Sequence, residues 1–232
     1  MQEVCIACHG SRVGNEYLGK NESCQPDVHY KKAHMTCDKC HKAEQMHGDG
    51  RTYARRHDVE NGPKCTECHE NIYESEAAAR SNHMTHRDKV SCQVCHSQSY
   101  TNCFDCHVGM SKDGREFYEV GSHSLDFKIG LNPSRSERRK ERFVLLRHAP
   151  VARDTFSFYK NAELTEFDSR PTWKMATPHN IQRKTFQNSE CNHCHGNQKL
   201  FLQKKDVRAG EVKANYSVVV PSTGIPARIK GE

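Results

Sequence analysis

The sequence predicts loops and short α-helices with little β structure, and an interior filled by bound groups in place of side chains. Three observations carry that expectation. Leu, Ile, Val and Phe number 38 of 232 residues, yet only ten of them lie within residues 1–107. The 13 Cys and 16 His are concentrated where the apolar residues are missing. Twelve of those cysteines fall into six copies of one five-residue motif.

A chain of 232 residues is long enough for one large domain or two small ones. Residues 1–107 nevertheless cannot offset their ordering entropy with so few large apolar side chains. A disulfide scaffold would also account for many cysteines, but it does not require them to recur in identical motifs.

The motifs are Cys5-Ile-Ala-Cys8-His9, Cys37-Asp-Lys-Cys40-His41, Cys65-Thr-Glu-Cys68-His69, Cys92-Gln-Val-Cys95-His96, Cys103-Phe-Asp-Cys106-His107 and Cys191-Asn-His-Cys194-His195. Each reads C-x-x-C-H. Two thiols separated by two residues reach the two vinyl groups on one porphyrin edge, and the adjacent histidine ligates iron from the proximal side. A structural zinc site needs a second cysteine pair and does not demand a histidine after every pair. A thioredoxin-like pair needs one motif in a βαβ setting, which is not visible here. The expected cofactors are six haem c groups, and the expected fold class is a multihaem cytochrome c fold with a core of stacked haems. Cys24 is left over, and its simplest reading is a buried or free thiol.

Covalent haem attachment takes place outside the cytoplasm, so an extracellular or periplasmic location is expected. No signal peptide precedes Cys5, and the numbering is expected to begin after export processing or at a cut in a longer chain. No apolar run reaches the roughly 18 residues that span a bilayer. The formal charge of +6 omits the haems. A ferric bis-histidine haem with two propionates contributes about −1, so six would cancel the surplus. The basic balance is therefore no argument for a nucleic-acid partner.

Ten histidines remain outside the proximal positions. A second imidazole on each iron would close both axial sites, which favours electron transfer over catalysis. His83 and His86 are spaced i, i+3 within Glu74–His86, a stretch that reads helical, so both can serve different haems from one face; the alternative is a pair of solvated polar residues. His148 and His179 lie in the long stretch between the fifth and sixth motifs and are expected to return as ligands. His29 and His47 flank the second motif and complete a set of six. His34, His57 and His123 are reserves, and His193 sits inside the sixth attachment loop, poorly placed for its own iron.

Successive first cysteines are separated by 32, 28, 27, 11 and 88 residues. Residues 1–107 thus form a five-haem segment, 108–190 a haem-free segment supplying ligands, and 191–232 the sixth haem with a tail, together one cooperative domain. The seven steps from His96 to Cys103 limit their separation to about 25 Å, so the fourth and fifth haems are neighbours. Ser134–Arg142 reads as a capped, charged helix, with a basic docking patch as the sharper alternative. Tyr216–Val220 reads as a strand followed by a turn.

The run from Cys92 to His107, with His83 and His86 before it, resembles multihaem cytochromes of the octahaem tetrathionate reductase and hydroxylamine oxidoreductase-like group. The segments around Arg147-His148-Ala149-Pro150 and Pro178-His179-Asn180 are similar as well, and the likeness covers about Ser23 to Gly196. It implies distal roles for His29, His47, His83, His86, His148 and His179. Enzymes of that group use eight haems, one with an unusual axial position, whereas this chain has six motifs and no C-x-x-C-K. No residue announces itself as catalytic. The expected function is electron transfer along closely spaced haems, with other redox proteins or identical subunits joined end to end as partners. Reduction of small nitrogen or sulfur oxyanions, or service as a redox subunit of a larger complex, is the alternative.

Overall fold

The computed structural model describes residues 2–54, 58–59, 62–74, 78–125, 127–149 and 171–231. Helix α1 (Gln2–His9) carries the first motif, passes through a π-helical segment (Gly10–Gly14) and continues as α2 (Asn15–Leu18). It ends at Gly19, whose φ of 66° is left-handed. A Cβ there would also meet the Pro26 ring at 2.6 Å, so both conformation and space require glycine. Asp27 caps α3 (Val28–Lys31) by accepting the His29 N–H at 2.8 Å.

The second and third motifs open as single 3-10 turns, Cys37–Lys39 and Cys65–Glu67. In each, the motif histidine N–H closes on the first cysteine's carbonyl, His41 to Cys37 at 3.0 Å and His69 to Cys65 at 2.9 Å. His195 repeats this turn on Cys191 at 2.9 Å. Further helices are α4 (Ala43–His47), α5 (Ala78–His86), α6 (Cys92–His96), α7 (Phe186–Ser189) and α8 (Cys191–Cys194).

The fifth motif departs from this helical habit. Its backbone lies in β1 (Tyr100–Met110), paired antiparallel with β2 (Glu116–Leu125) in a two-stranded sheet. The register shifts between Cys103 and Cys106, where the partner strand spends fewer residues, which is the signature of a bulge. The structure therefore contains more β than the composition suggests, because cross-strand pairing here prevails over the local preference of the motif.

A second sheet, ordered β3-β4-β5, joins Lys128–Leu131, Phe143–His148 and Trp173–Met175, all antiparallel. Every residue of β4 is buried. Its side chains alternate between two clusters: Phe143 and Leu145 pack with Cys24, Val94, Tyr100 and Phe201, whereas Val144 and Leu146 pack with Trp173, Leu202 and Val218. Before Val94, the described residues contribute only Cys24 to the buried hydrophobic set. Among the described residues, the apolar core thus belongs to the later part of the chain, and those of the segment bearing the first three motifs add only Cys24 to it. Among the described residues, no helix is long and apolar enough to cross a membrane.

Two expected elements are absent. Ser134–Arg142 is not a helix but part of the connection that turns β3 into β4, closed by reciprocal bonds between Ser136 and Arg139 at 3.2 and 3.0 Å. The Asn132 side chain holds it by donating to the carbonyls of Arg139 and Glu141. Hairpin closure between two buried strands outweighs the helix propensity of charged residues. Tyr216–Val220 forms no ladder strand. The Val218 carbonyl accepts from Leu131 and the Val220 N–H donates to Leu202, so its bonds divide between two neighbours. Tyr216 itself is exposed within a turn.

Short backbone contacts attach the motif-bearing segments to this core. Ser91 N–H donates to Phe143 and Phe143 N–H to Lys89, holding the junction of α5 and α6 at the start of β4. Gln182 N–H donates to His96 at 2.7 Å, and Val28 N–H to Ile181 at 3.0 Å, tying residues 181–182 to both α6 and α3. Leu146 is fully buried at the centre of β4, so Leu146→Ala is expected to cost about 2–5 kcal/mol by transfer and cavity terms. Chemical denaturation of the folded protein checks this.

Candidate functional site

Four motif histidines face a second imidazole at nearly constant separation. Ring centres lie 6.1 Å apart for His69 and His29, 6.0 Å for His41 and His179, 6.0 Å for His96 and His83, and 6.1 Å for His195 and His86. The ring planes make quite different angles, from 7° for His83 and His96 to 78° for His86 and His195. Direct stacking contact would bring the rings closer, as Phe186 and His193 do at 4.2 Å. Two metal–imidazole bonds of about 2 Å, plus about 1.1 Å from each nitrogen to its ring centre, add to roughly 6 Å. The spacing therefore fits one metal atom held between each pair.

Helix α5 supplies His83 and His86, three residues apart, to different motifs. Helix α3 supplies His29, and the segment following β5 supplies His179. Hydrogen bonds at Nδ1 orient several rings and leave Nε2 for a ligand role. His86 Nδ1 bonds the Asn82 carbonyl at 2.7 Å, His96 the Gln182 carbonyl at 2.9 Å and His195 the Ala227 carbonyl at 3.1 Å. His29 instead bonds the Asp27 carboxylate at 2.8 Å. That bond raises the His29 pKa against the opposing effect of burial. Burial lowers His41, reinforced by His179 and His9 nearby, and burial also lowers His96. A neutral imidazole is the ligating form.

The motif thiols lie beside one another in a definite spatial order. Cys5 lies beside Cys37, Cys40 near Cys68 and Cys65, Cys65 beside Cys92, and Cys95 near Cys194. Motifs one, two, three, four and six thus follow each other in space. Burial pushes the Cys95 and Cys194 thiols up to about 11. Motif cysteines Cys8, Cys40, Cys65 and Cys68 are exposed, unlike the usual buried cysteine. Among the described residues, no group of three or more His, Cys, Asp or Glu side chains could hold a metal ion; an axial pair requires only two.

A buried ionic network anchors the His179 segment. Glu16 is 1% exposed. It accepts hydrogen bonds from Arg147 at 3.0 Å, the Tyr100 hydroxyl and the backbone N–H of His179 at 2.8 Å. Beside it is a cavity of about 270 Å³, whose lining includes Cys8, His9, Arg12, Glu16, Arg147 and His179.

The remaining candidates are placed differently. His148 is buried, stacks on Trp173 at 5.0 Å and places Nε2 3.0 Å from Glu211. It is not brought against a described motif histidine. His47 is exposed at the end of α4, and neither it nor His9 enters such a pair among the described residues. The side chains of Cys103, Cys106, His107 and His123 lie outside the described set, as does all of His57. His34 is exposed with a φ of 52°, and His193 is held by Ser189 and Phe186. Cys24 is buried against Asn180.

Sequence reasoning missed Asp27, Glu16 and the carbonyls that orient the rings. Asp27 stood two residues before His29, a spacing suited to an N-cap, but nothing local marks Glu16 as the partner of Arg147. Neither a family profile, nor a curated protein, nor a solved structure matches the chain. Removing one partner of a buried pair strands the other charge. Arg147→Met is therefore expected to cost about 3–5 kcal/mol, and the double variant with Glu16→Gln less than that. Urea denaturation of the two variants checks the order.

Proposed function

We propose that this chain is a hexahaem c-type cytochrome that carries electrons along neighbouring haems, each attached through one C-x-x-C-H motif. The observation that carries the reading is the set of four imidazole pairs at 6.0–6.1 Å, each joining one motif histidine to one histidine from elsewhere. The cysteines Cys5, Cys8, Cys37, Cys40, Cys65, Cys68, Cys92, Cys95, Cys103, Cys106, Cys191 and Cys194 would hold the haems. His29, His83, His86 and His179 would close the sites of His69, His96, His195 and His41.

Haem, when bound, would supply a one-electron redox centre. At the four paired sites His69 with His29, His41 with His179, His96 with His83 and His195 with His86 would hold it from two imidazoles, leaving no place there for water or substrate and favouring electron transfer over bond chemistry. Backbone carbonyls at Asn82, Gln182 and Ala227 keep three rings in register, so little rearrangement accompanies a change of charge. Adjacent thiols of motifs one, two, three, four and six support a route in that spatial order, with the fourth site next to the sixth. Thioether attachment supports maturation outside the cytoplasm. Redox proteins or further copies of the chain would then exchange electrons with it.

The double assignment of α5 gives a sharp test. His83→Ala should open the haem of the fourth motif and His86→Ala that of the sixth. Each ferric variant should show one more high-spin haem than the unaltered protein, and the double variant two more, by optical and electron paramagnetic resonance spectra. Unchanged low-spin spectra in all three would overturn the ligand assignment.

A further inference from the structure

Among the paired histidines whose Nδ1 partner is described above, three bond a backbone carbonyl and one bonds a carboxylate. Asp27 is the exception, and its placement is firmly built. It is 2% exposed, its Oδ1 accepts both the backbone N–H and Nδ1 of His29, and its Oδ2 accepts Ile181 N–H at 2.7 Å. A helix N-cap does not require this charge, since asparagine or serine caps as well and avoids burying a carboxylate.

A carboxylate makes a stronger, charge-assisted bond to imidazole N–H than a carbonyl does, and the dry surroundings strengthen it further. The ring gains electron density, becomes a better donor and favours the more highly charged iron. The other carboxylate near a paired histidine behaves differently. Glu16 lies 3.9 Å from His179 Nδ1 and is countered by Arg147 at 3.0 Å. Among the described residues, the ion-pair partner of Asp27 is His29 itself.

We propose that Asp27 is a positioning residue that lowers the reduction potential of the haem held by His29 and His69, and so sets that haem at the low-potential end of the six. This rests on the haem occupancy proposed above. The third motif lies inside the spatial series of motifs, so its haem would be an energetic step within the route, filled last on reduction and emptied first on oxidation.

Potentiometric titration of the haem-loaded protein, followed optically, tests this with Asp27→Asn and Asp27→Ser, both of which keep a capping acceptor. The lowest of the six midpoint potentials should rise while the other five stay. A tenfold loss of preference for the oxidised form reads as about 59 mV for one electron. Six unmoved potentials, or a fall, would overturn the assignment. If a variant sheds the haem, the missing wave must be the lowest, and loss of a higher one overturns the proposal equally. A protein without haem would show no waves at all, which separates failure of the underlying reading from failure of this one.

Discussion

One geometry recurs through the structure, two imidazoles about 6 Å apart, one from a motif and one from another segment. Each such pair brings together parts of the chain that are separate in sequence or lie on different elements. His41 and His179 link the second motif to the segment after β5, and His86 and His195 link α5 to the C-terminal motif. With only Cys24 among the described residues before Val94 in the hydrophobic core, the early part of the chain is fastened by polar bonds, from Glu16 to Arg147 and His179, from Asp27 to Ile181, and by backbone contacts. Among the described residues, little of that early part is held by burial of apolar area.

The later part of the chain provides the fixed frame. Strand β4, buried on both faces, divides two apolar clusters and ends at Arg147 and His148. Arg147 then crosses to Glu16 on α2, and Glu16 takes the His179 N–H. A buried carboxylate and guanidinium therefore connect the first motif's helix, the central strand and one paired histidine. His148 contributes to the same frame through Glu211 and Trp173. A buried ionic group is costly unless fully partnered, and here the partners come from elements that must meet for the pairing to form.

Chemistry that repeats in sequence was legible; pairing that depends on distant strands was not. The six motifs declare themselves by spacing alone, and His83 and His86 declare a shared helical face by theirs. Context singles out His29 and His179 along with His47 and His148, so position in the sequence does not separate the paired histidines from the others. By contrast, nothing near Cys103 signals that its segment pairs with residues 116–125, because cross-strand partners are set by tertiary register. The charged run 134–142 carries helix-forming residues, yet its ends are fastened to two strands, and closure of that hairpin decides its shape. The tail at 216–220 carries β-branched residues, but Leu131 donates one bond to it, Leu202 accepts one from it, and no ladder forms.

Intact-mass measurement of the purified protein under denaturing conditions, set beside its iron content, addresses the central claim most directly. Covalent attachment survives denaturation, whereas groups bound only by coordination dissociate. The account predicts a chain carrying six haem masses and six irons. A chain at its bare polypeptide mass after maturation in a cell that attaches haem c, or one whose iron is lost on denaturation, would contradict it.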